Sequence, residues 1–103
     1  MEITITWSEL SEQQVKQIFD YYSSEAGSKI AERLINKIIK RVEILYKNPF
    51  SGTKEELLSD YTEEYRYLVV MNYKIIYCVE NLTITIMSVF DCRQSPDKIK
   101  VIK

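Results

Sequence analysis

YRYLVVMNYKIIYCVENLTITIMSVFDCRQSP, Tyr65 to Pro96, breaks into three runs rich in β-branched and aromatic residues: 65–70, 73–79 and 82–91. Such residues suit a pleated, half-buried surface. Between the runs stand Met71-Asn72 and Glu80-Asn81. Asparagine tolerates the left-handed backbone of a tight turn, so Asn72 and Asn81 mark two hairpins and the stretch predicts a three-stranded antiparallel meander. Its only cations are Arg66, Lys74 and Arg93. A cation in an otherwise apolar strand needs a partner or is there to meet an anion. In a meander the three positions can converge toward one end and one face, where they would bind phosphate or carboxylate. Register decides this. A two-residue turn at Met71-Asn72 puts Arg66 and Lys74 on opposite faces, and a three-residue turn puts them on one. The competing reading pairs Arg93 with Asp91 or Asp97 and simply pins the last strand.

Toward the N-terminus, Ile3, Ile5 and Trp7 alternate with Thr4 and Thr6, the period of a short half-buried strand. Ser11 followed by Gln14 fits a capping box, with Ser8 as the alternative cap. Val15, Ile18, Phe19 and Tyr22 recur at helical spacing, which predicts a first helix ending near Ser24. Gly27 and Ser28 punctuate the chain. Ala31, Leu34, Ile35, Ile38, Ile39, Val42 and Leu45 then follow a 3.6-residue period. That second helix should stop near Lys47, because Asn48 precedes Pro49 and is pushed out of the helical region. NPFSGTKEELLSDYTEE, residues 48–64, is long for a connection, and Leu57-Leu58 predict a helical turn that packs down. The order is β-α-α-β-β-β. The expected fold class is α+β, a helical hairpin packed on a small, twisted, mainly antiparallel sheet that the first strand must join.

Composition narrows the function. With 103 residues, 46% hydrophobic and 28% charged, residues 1–103 read as a single domain with one modest core. No apolar run approaches about 20 residues, so no membrane span is expected. The opening MEITITWSEL lacks the basic region and apolar core of a signal peptide. Cys78 and Cys92 form no CxxC pattern and read as free thiols of a cytoplasmic protein. Without histidine, neither a histidine general base nor a His-ligated metal is available, and no cofactor or metal is expected. Net charge is −1, whereas a dedicated nucleic-acid binder shows a basic excess. Within the second helix, Lys29, Arg33, Lys37 and Arg41 stand at i, i+4 spacing with Lys40 beside them. They form either a solvated face or a docking surface for an acidic partner. Tyr61, Tyr65, Tyr67, Tyr73 and Tyr77 read as core and cross-strand packing, with a base-stacking platform as the alternative.

The element order, YR at 65–66, YKIIY at 73–77, VFDCRQSP at 89–96, Trp7 before the first helix and NP-x-x-G at Asn48 to Gly52 together resemble the RelE/ParE toxin superfamily. The resemblance spans essentially the whole chain. It implies the toxin of a type II toxin–antitoxin pair, of the plasmid-stabilisation kind, held inactive by a cognate antitoxin. RelE-like members are metal-independent, ribosome-dependent mRNA endonucleases, whereas ParE-like members poison DNA gyrase. On the nuclease pattern, Arg66 takes the place of an early-strand lysine, Lys74 that of an arginine, and Arg93 that of the arginine after the last strand. Leu68 and Ile99 fall where a lysine and a tyrosine belong, and neither side chain can move a proton. Each missing acid–base group lowers a rate by about 10²–10⁴, unless Lys98, Lys100 or Tyr67 substitutes. The resemblance therefore favours the ParE-like branch. Alternatives are a RelE-like nuclease using Arg66, Lys74 and Arg93 as catalytic residues, and a degenerate toxin retaining only antitoxin binding. An antitoxin would offer an acidic amphipathic segment that folds on binding, met by Arg33, Lys37 and Arg41 and by a sheet edge. A homodimer through the helical hairpin also stays open.

Overall fold

The computed structural model describes residues 2–93. Asp97, Lys98, Ile99 and Lys100, invoked above, lie outside the described residues. The alternating N-terminal run forms strand β1 (Thr4–Trp7), followed by helices α1 (Glu9–Ala26) and α2 (Ser28–Glu43) and a 3-10 turn at Ile44–Tyr46. Strand β2 is two residues, Thr53–Lys54. A second 3-10 turn spans Glu56–Leu58, where Leu57-Leu58 predict one. The meander is β3 (Tyr65–Val70), β4 (Tyr73–Glu80) and β5 (Thr83–Asp91). The sheet order is β1-β5-β4-β3-β2, antiparallel except where β1 runs parallel to β5. This is the expected α+β fold, with β2 added at one edge.

Ser8, not Ser11, caps α1. Its Oγ accepts the Ser11 N–H at 3.1 Å, while the Ser11 hydroxyl donates back to the Ser8 carbonyl at 2.8 Å. Gln14 is not the capping-box partner because β5 claims it. The β4–β5 register shifts by one between Ile76 and Tyr77: Tyr77 faces Ile86, but Ile76 faces Ser88. Met87 is thus the extra residue of a bulge, which frees backbone groups on β5. The Gln14 Oε1 accepts the Val89 N–H at 2.7 Å and the Ser88 hydroxyl at 3.1 Å. Ser8 Oγ donates to the Met87 carbonyl at 3.0 Å. The first turns of α1 are stitched to the irregular part of the sheet.

Both faces of the sheet are covered. On the helix side, Leu34, Ile38, Val42 and Leu45 bury against Leu68, Ile75, Tyr77 and Ile86. On the other side, Leu58 tucks under Tyr65, Ile76 and Phe90. A strand buried on both faces reads as a continuous apolar run, which is why β4 shows no clean alternation. The turns differ in detail from the sequence reading. Asn81 takes the left-handed conformation (φ 58°), but in the first hairpin Met71 does so (φ 53°). Asn72 is instead held by its side chain, whose Nδ2 donates to Asp91 Oδ1 at 3.1 Å.

The 48–64 connection returns to the sheet at Gly52, whose N–H donates to the Tyr77 hydroxyl at 2.9 Å. A Cβ at residue 52 would lie 2.6 Å from the Tyr77 Oη and 2.8 Å from the Tyr67 carbonyl oxygen. Backbone cannot yield as a flexible side chain does. Gly52→Ala is therefore expected to destabilise the fold by about 1–3 kcal/mol, read as a lower urea midpoint.

Candidate functional site

Val70 pairs with Tyr73, so the β3–β4 turn is the two-residue one. Arg66 stands opposite Tyr77, on the helix-side row, and Lys74 stands opposite Val69, on the other face. The strand cations are not brought together, and the convergence that the sequence allowed does not occur for this pair. Each has its own anion or carbonyl. Arg66 Nη2 meets Glu64 Oε2 at 2.8 Å, and its Nη1 donates to the carbonyls of Gly52 (2.8 Å) and Phe50 (3.3 Å). Its guanidinium also lies 5.4 Å from the centroid of the Phe50 ring. Arg66 is thereby the clasp of the turn that delivers Gly52 to Tyr77. The Glu64 carboxyl is held below its ordinary range, first by a hydrogen bond from Lys54 and further by the charge of Arg66.

Lys74 is engaged on the opposite face. Its Nζ lies 2.9 Å from Glu55 Oε2 and 4.3 Å from the centroid of the Tyr67 ring. The Glu55 side chain is only 3% exposed, and its other oxygen accepts the Leu57 N–H at 3.2 Å. A carboxylate so far from water needs its cation, so Lys74 anchors the strap that carries Leu58 over the sheet.

Arg93 pairs with Asp91, the structural reading of the sequence. Nε and Nη2 reach the two carboxylate oxygens at 3.0 and 2.8 Å, and the Arg93 N–H donates to Oδ1 at 2.9 Å. The Arg93 side-chain bonds first, then its backbone N–H and the bond from Asn72, lower the Asp91 carboxyl to about 2, against burial, which raises it. The pair sits at the rim of a cavity of about 420 Å³ between α1 and the end of β5, lined by Gln14, Gln17, Tyr21, Tyr73 and Arg93. At Tyr73, burial, and next the hydrogen bond with Tyr22, push the hydroxyl's pKa far up, so it stays protonated. The rim of the cavity thus holds a cation neutralised by Asp91 beside a Tyr73 hydroxyl that keeps its proton.

The α2 stripe differs. Lys29, Arg33, Lys37 and Lys40 are exposed, and none of the ion pairs formed among the described residues involves them or Arg41. Arg41 Nε reaches the Val69 carbonyl of β3 at 3.4 Å, so this face of α2 runs beside the sheet edge. Two features were missed from sequence. One is that β2 is too short to cover β3 past Tyr67. The other is an apolar groove of about 500 Å³ along the hairpin, lined by Trp7, Val15, Phe19, Ile35 and Ile39 with Glu12 and Lys16 at its rim. The apparent surplus of apolar residues in α2, with Ile39 directly after Ile38, was the available signal for the groove.

An α+β sheet carrying a helical hairpin, with strand cations engaged internally and helix cations exposed, defines the class: a small domain built like the RelE/ParE toxins. The profile of the family described as "ParE toxin of type II toxin-antitoxin system, parDE" matches residues 5–96, and the chain belongs to that family. No curated protein matches significantly. Among solved structures, the chromosomal ParDE toxin–antitoxin system from P. aeruginosa is similar with a TM-score of 0.72 at 18% identity, over 86% of this chain and 95% of that one. The YoeB dimer from Staphylococcus aureus is similar with a TM-score of 0.56 at 20% identity, over 86% and 95% of the two chains. At these identities both likenesses speak for the fold alone. No described helix is long and apolar enough to cross a membrane.

The Asp91 clasp sets a pH dependence. Its carboxyl is depressed from its ordinary 3.8 to about 2, so the stabilisation is present above pH 4 and lost as pH falls through 2. Exposure of Arg93 to water limits the effect to about 1 kcal/mol. Asp91→Asn should lower the urea stability by that amount at pH 7, and the difference should shrink as pH falls through 2.

Proposed function

We propose that this ParE-family chain is a cytoplasmic growth-inhibiting toxin that acts by binding a target, DNA gyrase, rather than by cleaving RNA. A cognate antitoxin neutralises it. The observation that carries the reading is the separation of Arg66 from Lys74 onto opposite faces, each already bound to a buried or backbone partner. A metal-free nuclease needs its proton-transfer and phosphate-stabilising groups within hydrogen-bond reach of one scissile phosphate. Here no face of the sheet offers Arg66 and Lys74 together. Gyrase poisoning is the family's activity expected on this reading, and it requires only a docking surface. Inhibition of purified gyrase supercoiling, with filamentation and induced DNA repair on expression, is the expected result. Codon-positioned cuts in translated mRNA, abolished by Lys74→Met, would replace this reading with the nuclease one. Growth unaffected by the unneutralised chain would point to a degenerate toxin.

For the antitoxin, the cations of α2, which form no ion pair among the described residues, supply the attraction. Arg33, Lys37 and Arg41 lie one turn apart on one side of the helix, so an acidic segment can meet all three. Reversing charge at two of them (Arg33→Glu with Lys37→Glu) should weaken the antitoxin complex by about 10-fold or more at low salt, mainly through slower association. An unchanged affinity in calorimetry would move the antitoxin elsewhere on the toxin.

A further inference from the structure

Helices α1 and α2 each carry apolar residues that the sheet does not use. Ile18 and Ile38 turn inward to the core. Phe19 and Ile39, one residue on, are rotated from them by about 100° and line the groove along the hairpin. Trp7, Val15 and Ile35 complete that groove, and Ile39 is 42% exposed. Apolar residues scattered singly over a surface are ordinary, but a contiguous set that lines a groove of about 500 Å³ marks an interaction site. Its two charged neighbours are Glu12 and Lys16. They stand at i, i+4 with glutamate first, the favourable order for a pair within one helix. Yet no ion pair formed among the described residues involves either of them. The rim thus has no net charge, but it has a direction. Arg33 and Lys37 lie about 200° around α2 from Ile35, so the basic stripe belongs to another face.

We propose that this groove is a self-association surface: two copies of the chain join about a two-fold axis, hairpin to hairpin, as a four-helix bundle between two sheets. The occupant follows from the rim. A strongly acidic or strongly basic partner finds no net charge there to answer. An antiparallel copy of α1 is answered twice, because an axis that brings Glu12 of one chain to Lys16 of the other also brings Lys16 of the first to Glu12 of the second. Hairpins that pack in this way need apolar ridges on the faces that meet, and Phe19 of α1 with Ile35 and Ile39 of α2 supplies them. Trp7, beside them at the start of α1, is the kind of large aromatic residue that interfaces concentrate. The α2 cations stay outside the contact, and the proposal does not rest on the toxin reading.

Trp7 is the chain's single tryptophan, so the groove carries its own reporter. The test follows the full chain by sedimentation equilibrium and by Trp7 emission through a dilution series. At about 100 μM the mass should be twice the 12.2 kDa of one chain, and Trp7 emission should move to the red as dilution separates the copies. Ile39→Asp, at an exposed position, should weaken the dimer by about 10-fold or more. Lys16→Glu and Glu12→Lys should each weaken it by about 10-fold at low salt. An equimolar mixture of these two variants should recover the dimer as a heterodimer, because opposite charges then meet at both contacts across the axis. A Glu12–Lys16 pair confined to one helix could not be rescued by mixing. A monomer at every concentration, a dimer indifferent to Ile39→Asp, a mixture that fails to recover, or a mass beyond two chains would each overturn the proposal. So would a monomer whose Trp7 emission shifts only with cognate antitoxin or with phosphatidylcholine vesicles, which would give the groove to that occupant.

Discussion

Everything in this molecule depends on a sheet that is buried from both sides. Ile75 and Tyr77 of β4 point into the helical hairpin, and Ile76 points into the second layer built by Leu58, Tyr65 and Phe90. A charged side chain entering such a sheet cannot stay solvated, and an uncompensated charge there costs several kcal/mol. Arg66 and Lys74 therefore carry their own partners into the structure. Arg66 binds the carbonyls of the turn at 50–52, and Lys74 binds Glu55 of the strap. Both partners come from residues 48–64, which sequence reading treats as an over-long connection. That segment is long because it must cross the sheet margin, satisfy two cations on two faces, and cover the second face with Leu58.

The same constraint explains what could and could not be read from the chain. The hairpin and the meander were legible because period and turn chemistry are local. Residues Ala31, Leu34, Ile38 and Val42 announce one face of α2 without reference to anything else, and all four are buried. The roles of Gln14 and Asn72 were not legible. A glutamine three residues after Ser11 looks like a cap partner, yet the bulge at Met87 creates a better use for its oxygen on a strand some 75 residues away. Asn72 sits where an αL residue was expected, but Met71 takes that conformation while the Asn72 amide reaches Asp91. Long-range hydrogen-bonding demand outcompetes local preference at both places.

For the candidate site, residue types were legible and grouping was not. Sequence singled out Arg66, Lys74 and Arg93 because cations in apolar strands are conspicuous. Their separation followed from one integer, the length of the Met71-Asn72 turn, which no propensity fixes. The turn is short, so parity divides Arg66 from Lys74. For Arg93 the sequence left Asp91 or Asp97 as the partner beside an anion-binding role, and the structure pairs it with Asp91, a carboxylate two residues away that needs no folded context to be found.

The charges of the protein thus fall into two populations. Those of the meander are engaged internally: Arg66, Lys74 and Arg93 each hold a carboxylate at 2.8–2.9 Å. Those of α2 form no ion pair among the described residues, and the Arg41 contact to the Val69 carbonyl sets their helix face beside β3. A cation already paired inside its own fold gains little from a new anion, because the old pair must first be broken. A solvated cation without such a pair has no bond to break before it meets an anion. Surface attraction of this kind acts first on encounter. Fold architecture, rather than the identity of any single residue, separates the cations that build the structure from those left to meet a partner.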